Sequence, residues 1–471
     1  MQTKVYFDDG AKSFLIIFLL SQLFFTNGIL LFGGMLVFYM LMVRLQQPFK
    51  PSVFTIILIY HFIQISAGVW QSNYLGKDIN YRSDSTMTAT IASYAGLIFL
   101  FGPIIYYQNK IPALNLQKLT KHADRLSIDK TFNVYLATFF GMGALQGIAF
   151  AVPALTQIIL SLTNLKWFMF LLFAFQSIIK NRRRKELYFF IGLEFALGFF
   201  SYFSEFKTII FFVAFLALTF LTVVRLNKLL IAVVAMVFLV FGGIFWTSIK
   251  DEYRSFLNKG SKSQTVQVEK GEALDKLLEL SDKRAETGFT QSTVNFLDRL
   301  QYTYHFAKTI DRVPRVIPYQ DGTNWGNTLL FVVTPRALNA DKGVYDASVK
   351  ASKYTGIQYA GLRKGVSVSL GYFADGYIDF GIFGMYIPLL ILGFIYGIIY
   401  FYFIKNASTN FIFNYSIVGA MFMGLFAFES DNIFVIGQIY VNLVVFYLLK
   451  VFVFPKLLAY IQMPLKPLVT S

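Results

Sequence analysis

The chain has 471 residues, of which 56% are hydrophobic and only 14% are charged, and its formal net charge is +16. A soluble domain does not have this balance, and several apolar runs reach the roughly 20 residues that a helix needs to cross a bilayer. The chain contains no cysteine, which excludes disulfides, thiolate catalysis and cysteine-ligated metals, and its three histidines leave little room for a His-rich metal site. We therefore expect an integral membrane protein without a metal or another cofactor.

The apolar runs predict an all-α polytopic protein with about 12 transmembrane helices. The predicted crossings are 12–27, 28–43, 52–70, 87–107, 131–148, 164–179, 187–203, 208–224, 229–248, 382–404, 410–428 and 433–453. The first two could form one long tilted helix, but Asn27-Gly28 is a turn signal that divides them. The short apolar stretch Pro153 to Leu160 is predicted to be a separate helix in the outer interface.

The basic residues predict the orientation of the chain. In a soluble protein this positive charge would indicate a nucleic acid partner, but here Lys and Arg gather in the loops around 110–130 and 180–185. By the positive-inside rule these loops are cytoplasmic, and we expect no nucleic acid partner. Both termini then lie in the cytoplasm and the long polar stretch after residue 250 lies outside.

That long polar stretch divides the chain into three parts. Residues 1–249 are predicted to form an N-terminal bundle of about nine crossings, 250–381 a large external loop, and 382–471 a C-terminal bundle of about three crossings with a tail. Apolar residues at helical spacing predict helices at 271–286 and 290–312 within the loop. Long loops in compact membrane proteins usually have a function, so we expect the chemistry there.

The loop and its borders combine cations with aromatic rings. Arg299, His305 and Arg315 lie near Tyr302, and Lys207 is held in a very short turn at the membrane surface. Arginine forks match phosphate oxygens, and aromatic rings stack on sugars. Arg254, just past the crossing that ends near residue 250, resembles Lys207. The mixture suits a ligand with a phosphate and a glycan, although each cation could equally be solvated or bound to lipid headgroups.

Two segments at the end of the loop complete the candidate site. Pro335-Arg336 is followed by Asp341-Lys342, and Gly371-Tyr372 is followed by Asp375 on the way into a crossing. In that second segment Asp379 is predicted to cap the helix of the crossing and Gly381 to permit close packing. Several groups could act as a general base, and the sequence does not choose among them: Glu194, Glu205, His305, Glu429 and Asp431.

These segments resemble the Wzy-type polymerases of O-antigen and related bacterial polysaccharides. The resemblance is carried by Ser204-Glu205-Phe206-Lys207, the Pro-Arg and Asp-Lys pairs, and Ala374-Asp375-Gly376-Tyr377-Ile378-Asp379-Phe380-Gly381, which replaces the E-A-Y…N-F-G of similar members. Thr334 precedes Pro335-Arg336, and Lys342-Gly343 stands where those members have Lys-Pro. The likeness is architectural over nearly the whole chain and specific only over about 335–381.

The resemblance implies a membrane glycosyltransferase of GT-C-like architecture in the bacterial inner membrane, with its large loop in the periplasm. Such an enzyme moves a growing glycan from undecaprenyl pyrophosphate onto the next lipid-linked repeat unit, in O-antigen, capsule or exopolysaccharide synthesis. The residues expected to be catalytic are Arg336, Lys342, Arg299, His305 and Asp375. Those expected to bind substrate are Lys207, Arg254, Arg315, Tyr302 and Tyr372. The expected partners are the donor and acceptor lipids, the bilayer and a chain-length-determining protein.

Two other functions remain open at this point. An O-antigen ligase shares the architecture but delivers finished glycan to a lipid A core acceptor. A lipid-linked oligosaccharide flippase or other transporter should have ionisable residues along a path through many helices, whereas apart from Glu194 the crossings here carry few charges.

Overall fold

The computed structural model describes residues 4–148, 156–200, 206–261, 266–284, 289–334, 342–361, 367–425 and 428–463. Its α-helices are α1 (Asp9–Ser21), α2 (Gly28–Leu45), α3 (Val53–Tyr74), α4 (Thr86–Asn109), α5 (Leu116–Asp124), α6 (Ile128–Ile148), α7 (Thr156–Lys180), α8 (Arg184–Phe199), α9 (Phe206–Thr219), α10 (Leu226–Leu257), α11 (Lys270–Arg284), α12 (Phe289–Leu300), α13 (Thr303–Arg312), α14 (Thr323–Val333), α15 (Ala347–Thr355), α16 (Tyr372–Gly384), α17 (Tyr386–Asn406), α18 (Phe411–Phe422), α19 (Asn432–Phe452) and α20 (Phe454–Ile461). Short 3-10 helices lie at Gln22–Phe24, Ile79–Tyr81 and Met423–Leu425. Two strands, β1 (Tyr6–Phe7) and β2 (Val223–Val224), pair in parallel.

Seven helices of the described chain are long and apolar enough to cross a membrane. These are α2, α3, α4, α7, α10, α17 and α19. The predicted all-α membrane architecture is confirmed, but the long apolar helices are fewer than the twelve predicted crossings. The remaining predicted crossings fall on α1, α6, α8, α9 and α18; among these, α9 and α18 are apolar but have only 14 and 12 residues.

The predicted break between the first two apolar segments is present. Asn27 separates α1 and the following 3-10 turn from α2, and its side chain ties this break to the end of α3. The Asn27 amide donates to Asn73 Oδ1 at 3.0 Å and to the Lys77 carbonyl at 3.0 Å, while Asn27 Oδ1 accepts from the Ile79 N–H at 3.0 Å. A polar turn therefore replaces a continuous tilted helix.

The core lies around α3, α4, α7, α17 and α18, where rows of Phe and Tyr rings pack together. The closest pair is α4 with α17, and glycine allows it. A Cβ on Gly393 would collide with the Leu100 carbonyl, and one on Gly397 would lie 2.6 Å from the Tyr107 ring. In the most apolar 18-residue stretch of α3, 78% of the residues are buried. In the corresponding stretch of α10 only 11% are buried.

The first predicted helix of the loop is confirmed as α11, whereas the second, predicted at 290–312, is wrong because it is divided into α12 and α13 at Gln301-Tyr302. The division follows from polar contacts with the membrane helices. The buried Gln301 side chain donates to Gln71 Oε1 on α3 at 2.6 Å and to Asp298 Oδ1 at 2.7 Å, and Asp298 also pairs with Arg82. These bonds hold the turn against the C-terminal end of α3.

Two other boundaries differ from the predictions. The prediction of a separate interfacial helix at Pro153 to Leu160 is wrong for the residues that the structure describes. From Thr156 onward these residues belong to α7. The predicted crossing at 382–404 begins within α16, just after a kink at Gly381, and continues as α17. Gly381 has φ +70°, a left-handed conformation that glycine adopts without strain, and the Tyr319 ring lies against it. In addition, α10 continues eight residues past the predicted domain boundary at 249, to Leu257.

Candidate functional site

The candidate site begins at the C-terminal end of the apolar stretch of α10. Lys250 and Arg254 follow the last apolar turns of this helix, and a spacing of four residues places them on one face. The helix stays ordered past Lys250 because Trp246, Ile249 and Tyr253 pack in a small apolar core with α11. Both cations are thereby fixed at the border of the apolar part of the protein.

Two further cations from separate elements join them. Lys207 lies in the first turn of α9, and Arg299 lies in the last turn of α12. The positive charges of Arg254 and Arg299 act on the Lys207 ammonium, and those of Arg254, Lys207 and Arg299 act on the Lys250 ammonium. We call Lys207, Lys250, Arg254 and Arg299 the cation cluster. Like charges repel when they are brought together, so this arrangement suits an anion that would bind among them.

Two carboxylates face the cation cluster from different sides. Asp251 forms an ion pair with Arg299 at 2.6 Å, but its side chain is 79% exposed, so the pair contributes little to stability. Glu429, from the turn before α19, exerts its negative charge on Lys207. The four cations exceed these two carboxylates, which leaves the cluster with net positive charge.

Glu429 is held by a buried side chain of the membrane bundle. Gln64, which is 1% exposed on α3, accepts the Phe428 N–H at 2.9 Å and hydrogen-bonds the Glu429 carboxylate. The Oε2 atom of Glu429 is buried, and no described residue forms a hydrogen bond with it. Burial raises the pKa of Glu429 above its ordinary value, while the bond from Gln64 and the charge of Lys207 partly oppose that rise.

Two tyrosines lie near enough to Glu429 to interact with its charge. The charge of Glu429 acts on the hydroxyls of Tyr302, which follows α12, and of Tyr60, on α3. Burial, together with that charge, raises the pKa of Tyr302, so its hydroxyl stays protonated and available to donate. The site therefore combines cations, a carboxylate and aromatic rings, as the sequence predicted for this region.

His305 lies next to this group on α13. Its ring is 5.3 Å from the Tyr302 ring, and its Nδ1 atom is 2.7 Å from the Tyr359 hydroxyl. Burial, followed by the positive charge of Arg82, lowers the pKa of His305 to about 4, so the imidazole is neutral at neutral pH.

A second charged group lies deeper, between the loop and the membrane helices. Lys350 on α15 is 2.5 Å from Asp375 Oδ1 and 3.9 Å from Asp431 Oδ2, and both aspartates are almost fully buried. The Tyr345 hydroxyl donates to Asp431 at 2.5 Å, and the Asn432 N–H donates to Asp375 at 2.8 Å. We call Lys350, Asp375 and Asp431 the buried ion cluster. Burial and the Asp431 charge raise the pKa of Asp375 to about 6, against the opposing charge of Lys350.

The structure thus places the predicted site residues in different surroundings. Lys207, Arg254, Arg299 and Tyr302 come together around Glu429, with His305 beside them. Asp375 is instead enclosed in the buried ion cluster. Lys250 and Lys350 were not predicted from the sequence as site residues. For Lys250, its spacing of four residues from Arg254 could have indicated its role.

Other predicted residues lie apart from the cation cluster. The Lys342 ammonium donates to the carbonyls of Phe331 and Thr334 and so caps the C-terminal end of α14, and Arg315 is exposed beyond α13. Tyr372 lies in the core, with its hydroxyl 2.6 Å from His61 Nε2. Arg336 and the general-base candidate Glu205 lie outside the described residues.

The predicted capping role of Asp379 is wrong. Its carboxylate accepts the N–H groups of Asn324 and Trp325 at 3.1 and 2.8 Å. It therefore caps the N-terminal end of α14, on a different part of the loop, and not the crossing that follows it.

Among the described residues no three His, Asp or Glu side chains form a group that could hold a metal ion.

The fold defines a helical protein embedded in a membrane, with polar helices docked on one part of the bundle. The chain belongs to the family described as Domain of unknown function (DUF8712), whose model matches residues 113–463. That range includes all four members of the cation cluster and all three of the buried ion cluster. No curated protein and no solved structure matches the chain.

Proposed function

We propose that this protein is a polysaccharide polymerase that transfers a growing glycan from undecaprenyl pyrophosphate onto a lipid-linked oligosaccharide repeat unit. The observation that carries the proposal is the convergence of Lys207, Lys250, Arg254 and Arg299 on one site. The resemblance to Wzy-type polymerases supplies the substrates, and the cation cluster supplies a chemical reason for them.

The reaction needs stabilisation of a leaving pyrophosphate. When the glycosidic bond to the carrier breaks, negative charge develops on the phosphate oxygens. Preorganised cations beside those oxygens stabilise the transition state more than the ground state, which lowers the barrier. The cation cluster offers two guanidinium forks and two ammonium groups drawn from three helices, so binding requires no rearrangement of a flexible loop.

The position of the cation cluster suits a lipid-linked donor. The first half of α10 is surrounded by few protein atoms: Ile231, Val234 and Phe238 are 67%, 68% and 80% exposed. In a bilayer these side chains face acyl or polyprenyl chains. Because Lys250 and Arg254 end this apolar surface, an amphiphile that lies along α10 would bring its phosphate head to them.

The proposal includes a topology. We propose about twelve crossings in a GT-C-like arrangement in the bacterial inner membrane, with α1, α6, α8, α9 and α18 added to the long apolar helices. Both termini then lie in the cytoplasm, and the loop that carries α11 to α15 lies in the periplasm. The distribution of basic residues supports this orientation. A chain-length-determining partner follows from the resemblance alone.

Arg336 remains the first catalytic candidate of the loop. In the Wzy-type resemblance it stands in the Pro-Arg segment, which precedes Lys342 in the sequence. Arg336→Ala should reduce sugar transfer by orders of magnitude at unchanged expression, because a charge that stabilises the leaving group is lost. Glycan chains of unchanged length in the variant would refute this role.

The experiment that tests the function compares the glycans of the native strain with those of a strain that lacks the gene. A polymerase predicts that the ladder of repeat lengths disappears and single repeat units remain. A ligase predicts that full-length polymer accumulates on its lipid carrier. A flippase predicts that lipid-linked repeat units accumulate on the cytoplasmic side, so either of the last two results would contradict the proposal.

A further inference from the structure

A buried carboxylate with an unused oxygen faces the cation cluster. Glu429 lies in the turn before α19, and its Oε2 atom is buried without a hydrogen-bond partner among the residues that the structure describes. A buried, unsatisfied carboxylate oxygen destabilises the folded state, so its presence at a site calls for an explanation. Within the described part of the chain no cation lies within 4.0 Å of this carboxylate, so it is not simply one half of an ion pair.

We propose that Glu429 is the general base that accepts the proton of the acceptor hydroxyl during glycan transfer. This inference rests on the proposed function and deepens it, because sequence reasoning left the base open among five residues. Gln64 of α3 holds the turn that carries Glu429, and the Oε2 atom of Glu429 keeps an unused lone pair. The charge of Lys207, a member of the cation cluster, acts on the same carboxylate.

The geometry meets what a general base requires. A base must be held in a fixed position, carry a free lone pair and stand near the reacting centre. Gln64 fixes the turn by accepting the Phe428 N–H at 2.9 Å, and the Tyr372 N–H donates to the Ser430 carbonyl at 2.8 Å on the other side of Glu429. The carboxylate is therefore anchored on both flanks by the membrane bundle and by α16.

The charged and titratable groups around Glu429 fit the same role. Lys207 faces it from α9, Tyr60 and Gln64 from α3, and Tyr302 from the turn before α13. Burial raises the pKa of Glu429, which makes it a stronger base than an exposed glutamate. His305, the main competitor, has its pKa lowered to about 4 and its Nδ1 atom engaged with Tyr359.

The step balances without a further reactant. The acceptor O–H bond breaks and its proton moves to Glu429 Oε2. The acceptor oxygen forms the new bond to the anomeric carbon, and the bond between that carbon and the pyrophosphate oxygen breaks. The electron pair leaves with the pyrophosphate, whose charge is stabilised by the cation cluster, and inversion at the anomeric carbon follows from a single displacement.

The test is elongation of a lipid-linked repeat unit by purified Glu429→Gln, which keeps the shape and the Gln64 contact but removes the basic oxygen. We expect transfer to fall by about 10²-fold or more while equilibrium binding of the pyrophosphate-linked donor is retained. Glu429→Asp keeps a carboxylate and should retain more activity than Glu429→Gln. Glu272→Gln, at an exposed glutamate on α11, is the matched control and should transfer at the wild-type rate.

The pH profile gives a second readout. A base acts only when deprotonated, so the wild-type rate should fall as the pH drops through the raised pKa of Glu429, and this acid limb should be absent from the residual rate of Glu429→Gln. Wild-type elongation with near-wild-type transfer by Glu429→Gln would overturn the inference and leave the proposed function standing. Loss of donor binding in Glu429→Gln would also overturn it. Absence of elongation by the wild type would instead refute the proposed function.

Discussion

Lys207 can be compared with a lysine that lies apart from the cation cluster. Lys207 belongs to the cation cluster, whereas Lys353 on α15 is exposed and its ammonium lies 4.8 Å from the centre of its neighbour's ring, that of Tyr354. Lys207→Gln should slow glycan elongation by about 10²-fold because one charge facing the leaving pyrophosphate is lost. Lys353→Gln should leave the rate unchanged, and equal losses in the two variants would indicate a general effect of surface charge.

His305 makes a prediction about pH and stability. Its folded pKa of about 4 lies below the ordinary value of 6.5, so the folded state disfavours protonation of the ring. The stability that comes from the neutral ring is fully present above pH 6.5 and is lost as the pH falls toward 4. His305→Gln should therefore lose less thermal stability than the wild type between pH 7.5 and pH 5. Equal losses, measured by thermal unfolding in detergent, would contradict the buried neutral imidazole.

Lys350 joins three elements, because its partners Asp375 and Asp431 lie on α16 and before α19. Removal of one member of a buried ion group leaves uncompensated charge, which costs about 3–5 kcal/mol. Lys350→Met should therefore destabilise the fold strongly. Lys350→Met combined with Asp375→Leu should recover part of the loss, since one of the two stranded carboxylates is also removed.

This pair of variants separates a structural role from a catalytic one. The measurement is the thermal unfolding midpoint in detergent of the wild type, the single variant and the double variant. A midpoint for Lys350→Met at the wild-type value would show that the buried ion cluster does not hold α15 against the membrane helices.

The secondary-structure elements could be predicted from the sequence better than the contacts between them. Apolar length and periodicity gave α3, α4, α7 and α11, because these helices depend on local composition. The division between α12 and α13 was missed because it depends on Gln71, which lies 230 residues away from Gln301. Lys350 was missed for the same reason: in a polar loop it looks like a solvated lysine, and only the fold brings two aspartates to it.

The candidate site shows the same limit. Lys207, Arg254 and Arg299 were predictable, because cations at membrane borders and in an external loop are visible in sequence. The free oxygen of Glu429 was not, because the turn that carries it is held by a bond between Phe428 and Gln64, which are 364 positions apart. The local sequence pattern therefore predicts which residue types gather at a membrane surface. Tertiary contacts decide which of those side chains keep a polar atom without a hydrogen-bond partner.

The orientation of the whole molecule is testable because the chain has no cysteine of its own. Lys353→Cys, in the loop, should react with a membrane-impermeant maleimide added to intact spheroplasts. Lys185→Cys, in the basic run before α8, should react only after the membrane is permeabilised. The reverse pattern would place the cation cluster and Glu429 on the cytoplasmic side and contradict the proposed periplasmic reaction.

The most direct test of the account is elongation by the purified protein itself. The protein, in detergent with EDTA, is incubated with its undecaprenyl-pyrophosphate-linked repeat unit, and the lipid-linked products are measured by mass spectrometry over time. We expect products that lengthen by one repeat unit at a time, at a rate that Lys207→Gln and Glu429→Gln both lower. Repeat units that stay single in the presence of active, folded protein would contradict it.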